Sequence, residues 1–154
     1  MVVCFQTLVP QTYEKAKENL KRILVDVDAV ACTTDLWSST RTQASYPTVT
    51  THFLVGADLK TAVLDTRRVP EQHTGPNIAA AIKEILEEYG VQYKIPFFVT
   101  DNANNMLAAV RDLGYRHVPC MAHTINLLVK DALKASEGTI TVIGKVRNIV
   151  TYSR

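Results

Sequence analysis

The spacing of apolar residues changes character along the chain, and each change predicts a different element. Apolar positions recur at helical spacing over 10–25, with lysines and glutamates between them, which is typical of an amphipathic helix. A short apolar run, "AVACTTD", then extends from Ala29 to Asp35. It is too short for a stable helix, so we predict a strand that ends at Asp35.

Two segments rich in β-branched and aromatic residues follow. They are "YPTVTTHFLV", Tyr46 to Val55, and "LKTAVLDTRRV", Leu59 to Val69, and the intervening "GAD" is a turn sequence. Two such strands on either side of a short turn predict an antiparallel hairpin.

The rest of the chain alternates between helical and extended patterns. Thr74 can cap a helix that stops at Gly90, and "KIPFFVT" then indicates a buried strand. A helix over 102–113, a brief strand at "RHVPC" and a helix over about 121–136 come next. We predict a last helix after Gly138.

The order of these elements predicts the fold class. A helix, three strands of which two form a hairpin, and then helices alternating with strands make an α/β domain. We expect a ribonuclease H-like mixed sheet, with an antiparallel hairpin plus parallel βα units, flanked by helices. Ligands of such sheets gather at the carboxyl ends of the strands.

Two of the helices carry their apolar residues on a single face. The helix after Thr74 has such a face at Ile78, Ala81, Ile82, Ile85, Leu86 and Tyr89. The helix over 121–136 has one at Ala122, Ile125, Leu128, Val129, Ala132 and Leu133.

Composition narrows the class of protein without deciding its function. With 154 residues, 47% of them hydrophobic and 21% charged, the chain resembles one ordinary globular domain. A formal charge of +2 and a pI near 8.4 are too mild to indicate nucleic-acid binding by themselves. No apolar run approaches the length that spans a bilayer, and the first residues lack a signal-peptide pattern, so we expect an intracellular protein.

Two carboxylates occupy matching positions in the predicted sheet. Asp35 in "TTD" and Asp101 in "VTD" each follow an apolar strand, and those strands are neighbours if the hairpin lies on one side of the sheet. Carboxylates side by side repel unless a cation neutralises them, and Mg²⁺ prefers oxygen ligands. We therefore predict a divalent metal site at Asp35 and Asp101. The alternative is that each aspartate caps the turn or helix that follows it.

Five blocks of sequence carry a resemblance to a known family. In order they are "TTDLWSS", "HFL", "HTGPNI", "TDNANNM" and "CMAHTINLLVKDAL", and they span about 30–133. Together they resemble hAT superfamily DNA transposases and the BED-type zinc-finger proteins derived from them. The resemblance implies a ribonuclease H-like core, cut-and-paste transposition of DNA in the nucleus, and an acidic triad that binds Mg²⁺ or Mn²⁺. Asp35 and Asp101 match its first two catalytic, metal-binding acids.

The sequence also departs from the family pattern. The third acid of the family is a glutamate beyond a helical insertion, and the chain reaches Arg154 before either appears. Asp112, Asp131 and Glu137 are the later acids within the chain, but each falls on a predicted solvated face or near a helix end. We therefore expect a partial core that does not cleave DNA alone.

The resemblance and the element order together predict the organisation of the chain. We expect an N-terminal helical segment over 1–27, a partial ribonuclease H-like core over 28–138, and over 139–154 the start of a helix that leads to the missing insertion domain. The family's N-terminal BED finger is also missing. DNA, in the form of transposon ends, is the partner implied for a complete protein, and any self-association would use regions outside this sequence. No membrane partner is expected.

A Cys-x-x-His pair, Cys120 and His123, begins the helix over 121–136. Structural zinc needs four ligands and no second pair has suitable spacing, so we predict no zinc in this chain. By resemblance, His123 is a catalytic group beside Asp101 and Cys120 lies near bound DNA. The alternative for His123 is a half-buried histidine hydrogen-bonded in the core. Cys4, Cys32 and Cys120 lack disulfide spacing and are expected to be reduced thiols.

Other side chains near the two aspartates are candidates for contact with DNA. Trp37, in a predicted serine-rich loop, can stack on a base or pack beneath that loop. Asn102, with Asn104 and Asn105, can hydrogen-bond phosphate or metal-bound water, or cap the helix after Asp101. We interpret His52 and His117 as structural, and His73 as a structural or capping residue before a helix. The arginines are too scattered to outline a phosphate-binding surface; they are Arg41, Arg67, Arg68, Arg111 and Arg116.

Three functions remain open from the sequence. The first is an incomplete transposase core whose aspartates bind metal. The second is a transposase-derived nuclear scaffold that binds DNA or protein without catalysis. The third is a truncated product without an independent role, which would leave apolar surface uncovered.

Overall fold

A computed structural model describes residues 7–39, 44–69 and 72–152. Cys4, predicted to be a reduced thiol, and Arg41, one of the scattered arginines, lie outside these ranges. The helices and strands within them are α1 (Val9–Val25), β1 (Ala31–Ser39), β2 (Ala44–Val55), β3 (Asp58–Thr66), α2 (Gly75–Glu88), β4 (Phe98–Thr100), α3 (Asn104–Asp112), β5 (His117–Pro119), α4 (Met121–Ala135) and α5 (Glu137–Tyr152).

The strands form one mixed sheet with the order β3-β2-β1-β4-β5. The pairs β1–β2 and β2–β3 are antiparallel, whereas β1 and β4 are parallel. Gly56, with a φ of 61°, lies in the short connection between β2 and β3, where its missing Cβ permits a left-handed backbone. The predicted hairpin and the predicted mixed sheet are both confirmed.

The ends of two strands differ from the sequence prediction. β1 does not end at Asp35, because its pairing with β2 continues as far as Ser39 opposite Ala44. The prediction that Trp37 lies in a loop is therefore also wrong. β4 begins only at Phe98, since Pro96 has no backbone N–H with which to pair.

The core lies on one face of the sheet. Along β2 buried and half-buried side chains alternate, and Val49, Thr51 and Phe53 form the buried row. The apolar face of α2 is buried as predicted, with Ile78 and Ile82 fully enclosed. Cys32 on β1 joins this core, and burial raises the pKa of its thiol to about 12. Cys32 and Cys120 are free thiols, as expected.

A lysine after α2 fastens the end of α1 to this core. The Lys94 ammonium donates hydrogen bonds to the carbonyl oxygens of Leu24 at 2.9 Å, Val25 at 2.8 Å and Val27 at 2.8 Å. The last carbonyls of a helix have no partner within the helix, so a cation there satisfies them. Lys94 thereby adds to the Asp26 N–H, which donates a hydrogen bond to the Ile23 carbonyl oxygen at 3.3 Å at the same end of α1.

Replacing Lys94 by methionine should lower the free energy of unfolding by about 2–3 kcal/mol, because charge-assisted hydrogen bonds are lost and the carbonyls lose their partners. Urea unfolding followed by circular dichroism measures the change. Lys83→Met is the matched control, since Lys83 is exposed and forms only a surface ion pair with Glu87, at 3.8 Å. Its expected change is within about 0.5 kcal/mol. Equal losses in the two variants would contradict the capping role of Lys94.

Ion pairs between charged side chains link the end of β3 to α2, and α2 to α1. Arg67 forms ion pairs with Asp65, Glu84 and Glu88, and Lys17 of α1 pairs with Glu88 at 2.5 Å. The hydrogen bond from Lys17 lowers the pKa of the Glu88 carboxyl. Because three carboxylates already occupy its guanidinium, Arg67 is a structural residue and not a free contact for phosphate.

The chain divides into two compact units, Met1–Val118 and Pro119–Arg154, and α4 and α5 belong to the second. No residue of α4 is buried, and its Ile125, Leu128 and Val129 are exposed. The helix predicted over about 121–136 is confirmed as α4. None of the helices in the described ranges has the length and apolar character required to cross a membrane.

Candidate functional site

The two predicted aspartates fall at equivalent positions on neighbouring strands. The parallel pairing of β1 with β4 places Cys32 beside Phe98 and Thr33 beside Val99. Asp35 and Asp101 are each two residues further along the chain, Asp35 within β1 and Asp101 directly after β4. Neighbouring strands are about 4.8 Å apart. A shared site at Asp35 and Asp101 stays a prediction.

Asp35 faces away from the core. Cys32 and Thr34 are buried, so strand alternation turns Thr33 and Asp35 to the opposite face, where Asp35 is exposed. On its other side Asp35 pairs with Thr48 of β2. Because it lies within a strand, Asp35 caps neither a turn nor a helix, and that alternative is excluded for this residue.

Asp101 is half-buried and takes part in the turn between β4 and α3. Its Oδ1 accepts a hydrogen bond from the Ala103 N–H at 3.3 Å. The capping alternative therefore holds for one carboxylate oxygen of Asp101. The residue that precedes α3 is Ala103, which makes no side-chain cap. Among the asparagines, Asn105 Oδ1 accepts a hydrogen bond from the Met106 N–H in the first turn of α3 at 3.0 Å. Asn102 is exposed beside Asp101.

The "HTGPN" block packs against the helix that follows Asp101. Gly75, the first residue of α2, is buried, and a Cβ placed on it would lie 2.6 Å from the Cβ of Ala108 in α3. The Asn105 amide donates a hydrogen bond to the carbonyl oxygen of His73 at 3.3 Å. These contacts hold α3 and hence the strand end at Asp101. The sequence indicated a capping role for His73 but gave no sign of this close approach.

An aromatic pair joins β1, the strand that carries Asp35, to β2. Trp37 and Tyr46 are paired across β1 and β2, and their rings stack with centroids 4.5 Å apart and planes inclined by 17°. Trp37 is 49% exposed, and strand alternation turns it to the same face as Asp35. It therefore packs against Tyr46 and also presents surface to solvent.

A histidine on β5 completes the surroundings of the strand end. His117 Nε2 lies 3.0 Å from Thr100 Oγ1, and that hydroxyl donates a hydrogen bond to the Asp101 carbonyl oxygen at 2.6 Å. The sequence assigned His117 only a structural role. The signal that could have singled it out is its position at the start of the strand after "VTD".

Cys120 and His123 lie in the second unit. Cys120 precedes α4, and its carbonyl oxygen accepts hydrogen bonds from the N–H and the hydroxyl of Thr124, both at 3.0 Å. His123 is half-buried in the first turn of α4. The roles implied for Cys120 beside DNA and for His123 beside Asp101 stay predictions.

The carboxylates suit a hard divalent cation as part of its coordination shell. Aspartate oxygens are the ligands that Mg²⁺ and Mn²⁺ prefer, and Mg²⁺ commonly takes one or two carboxylates and fills its remaining positions with water and phosphate. Across the ranges that the structure describes, no group of three or more His, Cys, Asp or Glu side chains is placed to hold a metal. Of the later acids, Asp112 is exposed and Asp131 pairs with Lys134 at 3.5 Å.

The sheet order, the antiparallel β1–β2–β3 layer and the parallel step to β4 with its aspartate define a ribonuclease H-like α/β domain. The chain belongs to the ZBED1 RNase-like domain family, whose model matches residues 33–124. The predicted fold class and the resemblance stated from the sequence are both confirmed.

Three curated relatives show which kinds of protein this chain is similar to. Human "Zinc finger BED domain-containing protein 6" is 31% identical over 146 residues, which is 82% of this chain and 14% of the relative. "Putative AC transposase" of Zea mays is 30% identical over 149 residues, 85% of this chain and 18% of the relative. "Putative transcriptional regulator tpeD" of Talaromyces stipitatus is 26% identical over 151 residues, which is 87% of this chain and 18% of the relative. The chain thus spans less than a fifth of the length of each of these relatives.

Among solved structures, the catalytic core domain of HTLV-2 integrase in complex with magnesium is similar with a TM-score of 0.36 and 11% sequence identity, over 71% of each chain. This loose similarity carries no information on the site.

Proposed function

We propose that this chain is the part of a hAT-type transposase core that supplies two carboxylate ligands, Asp35 and Asp101, to a divalent cation at a site that acts on DNA. The observation that supports the proposal is the parallel pairing of Thr33 in β1 with Val99 in β4, since Asp35 and Asp101 are each two residues beyond these partners. Membership of a family that includes transposases supports the choice of DNA as the partner.

The two aspartates differ in their exposure and in their hydrogen bonding. Asp35 is exposed and available to a ligand from solvent, whereas Asp101 is half-buried and held by the Ala103 N–H. A bound Mg²⁺ or Mn²⁺ would neutralise their mutual repulsion and stabilise negative charge on a phosphodiester oxygen. Asp35 and Asp101 leave most coordination positions to water and to DNA.

Neighbouring side chains support contact with an unpaired segment of DNA. Trp37 presents half of its surface on the face of Asp35 and is already stacked on Tyr46, so a base can extend that stack. Asn102 is exposed beside Asp101 and offers an amide to a phosphate. Within a longer protein, Cys120 and His123 would add the contacts implied by resemblance, transposon ends would be the DNA, and the site of action would be the nucleus.

A second candidate function is a transposase-derived scaffold that binds DNA or protein in the nucleus without catalysis. The turn at Asp101 favours it, because a carboxylate that accepts the Ala103 N–H is useful to the fold even without metal. Relatives with the printed names of a zinc finger BED domain-containing protein and a transcriptional regulator are in keeping with such a role.

Titration of the 154-residue chain with Mn²⁺, followed by the loss of the free-ion electron paramagnetic resonance signal, tests the metal site. We expect Asp35→Asn and Asp101→Asn each to weaken binding by about tenfold or more, since each removes an anionic ligand. Asparagine at 101 can still accept the Ala103 N–H, so the turn is preserved. The control is Asp112→Asn, whose exposed carboxylate lies at the end of α3. Wild-type affinity in both site variants would contradict the proposed metal site.

The same variants separate the two candidate functions. Fluorescence anisotropy of a labelled single-stranded oligonucleotide should show binding that strengthens with Mg²⁺ in the wild type but not in Asp35→Asn. Trp37→Leu should weaken that binding by about tenfold, since one stacking contact is lost. Metal-independent DNA binding that Asp35→Asn leaves intact would favour the scaffold.

A further inference from the structure

A chain of hydrogen bonds runs from β5 to the backbone of Asp101. His117 Nε2 lies 3.0 Å from Thr100 Oγ1. Thr100 Oγ1 in turn donates to the carbonyl oxygen of Asp101 at 2.6 Å. His117 lies on β5, Thr100 is the last residue of β4, and Asp101 directly follows it. The histidine is thus linked through one hydroxyl to the residue that carries the candidate metal ligand.

The direction of these bonds follows from the number of hydrogens. A threonine hydroxyl has one hydrogen, and here it is directed to the Asp101 carbonyl. Thr100 Oγ1 must therefore accept from His117, which requires a hydrogen on Nε2. The geometry consequently assigns the Nε2–H form of the imidazole to His117.

The burial of Thr100 makes the hydrogen bonds from His117 to Asp101 costly to break. Thr100 is 1% exposed, so its hydroxyl has no access to water as a replacement partner. A buried polar group that loses its partner is destabilised more than an exposed one. In the same turn, the Ala103 N–H donates a hydrogen bond to Asp101 Oδ1 at 3.3 Å. The backbone carbonyl and one carboxylate oxygen of Asp101 are thus each held by a hydrogen bond.

We propose that His117 is a positioning residue that acts through Thr100 to fix the direction in which the Asp101 carboxylate leaves the sheet. It does not touch the metal or DNA in this role. The proposal rests on the proposed function, because it concerns the same metal site. A partner that orients a ligand typically changes metal affinity by about 10–100-fold when it is lost.

Mn²⁺ affinity measured on the 154-residue chain tests the proposal. We expect His117→Leu and Thr100→Val each to weaken Mn²⁺ binding by about tenfold. His117→Gln should restore most of the affinity, because the glutamine amide places an N–H close to the position of Nε2. The double variant should be no weaker than either single variant, since both break one chain of bonds. Lys94→Met controls for a general loss of stability and should keep wild-type affinity. Unchanged affinity in His117→Leu would overturn the proposal.

A second measurement does not depend on metal. Two-dimensional ¹H–¹⁵N spectra of the histidine side chains at pH 8 distinguish the two neutral forms of His117. Hydrogen on Nε2 is the expected result, with loss of the downfield carbonyl ¹³C shift of Asp101 in Thr100→Val. Hydrogen on Nδ1 would overturn the chain of hydrogen bonds whatever the metal titration shows. If instead Asp35→Asn and Asp101→Asn bind Mn²⁺ as the wild type does, the proposed function fails, and the spectra still decide the role of His117 in fixing Asp101.

Discussion

Replacing Phe98 by alanine is expected to lower the free energy of unfolding by about 3–5 kcal/mol. Phe98 is 0% exposed, and its ring stacks on that of Tyr115 with centroids 5.8 Å apart. It is also the β4 residue that pairs with Cys32 of β1. Removing the ring leaves a cavity at the centre of the sheet, which the strands on either side cannot collapse to fill. Urea unfolding measures the loss.

The neighbouring phenylalanine provides a matched control. Phe97 is 37% exposed and precedes β4, so Phe97→Ala removes the same atoms with less burial. We expect a loss of about 1 kcal/mol or less. Similar losses in the two variants would contradict the placement of Phe98 in the core. Because β4 leads directly to Asp101, Phe98→Ala should also weaken Mn²⁺ binding, whereas Phe97→Ala should not.

The second large effect is expected at Gly75, where alanine should destabilise the fold by about 2–3 kcal/mol. Helix propensity alone predicts the opposite sign, since alanine in place of glycine favours a helix by about 1 kcal/mol. The added Cβ would lie 2.6 Å from the Ala108 Cβ and 3.3 Å from the Ala109 backbone nitrogen, so α2 and α3 would have to separate. Thermal or urea unfolding gives the sign directly.

Removal of the opposing methyl group tests the cause. Ala108→Gly should recover part of the loss in the Gly75→Ala background, although it costs about 1 kcal/mol of helix propensity by itself. Gly144 in α5 is the control, because a Cβ there meets nothing within 4 Å. Gly144→Ala should leave helicity unchanged or raise it. A destabilisation by Gly75→Ala that Ala108→Gly does not relieve would show that the close approach is not its cause.

Elements dictated by local pattern were predictable from the sequence. The β2–β3 hairpin follows from two β-rich segments around Gly56, and the buried face of α2 follows from its apolar spacing. The length of β1 was not predictable, because the polar residues after Asp35 are held in the strand by pairing with β2.

Some features of the candidate site could likewise be predicted from the sequence, and others could not. Asp35 and Asp101 could be paired from sequence because each follows an apolar strand and the element order sets those strands side by side. The close contact of Gly75 with Ala108 and the bond between His117 and Thr100 could not, because both depend on distances between side chains remote in sequence. Glycine and histidine residues at such positions look no different from those in ordinary turns and strands.

The alignment of β1 with β4 also determines where the chain can change in length. Residues added to the exposed connection between β2 and β3 would alter the number of residues between Asp35 and Asp101 without changing the pairing of β1 with β4. A single residue inserted between Val99 and Asp101 would instead turn the second carboxylate to the opposite face of the sheet. Insertions should therefore be tolerated in that connection and excluded from the few residues that end β4.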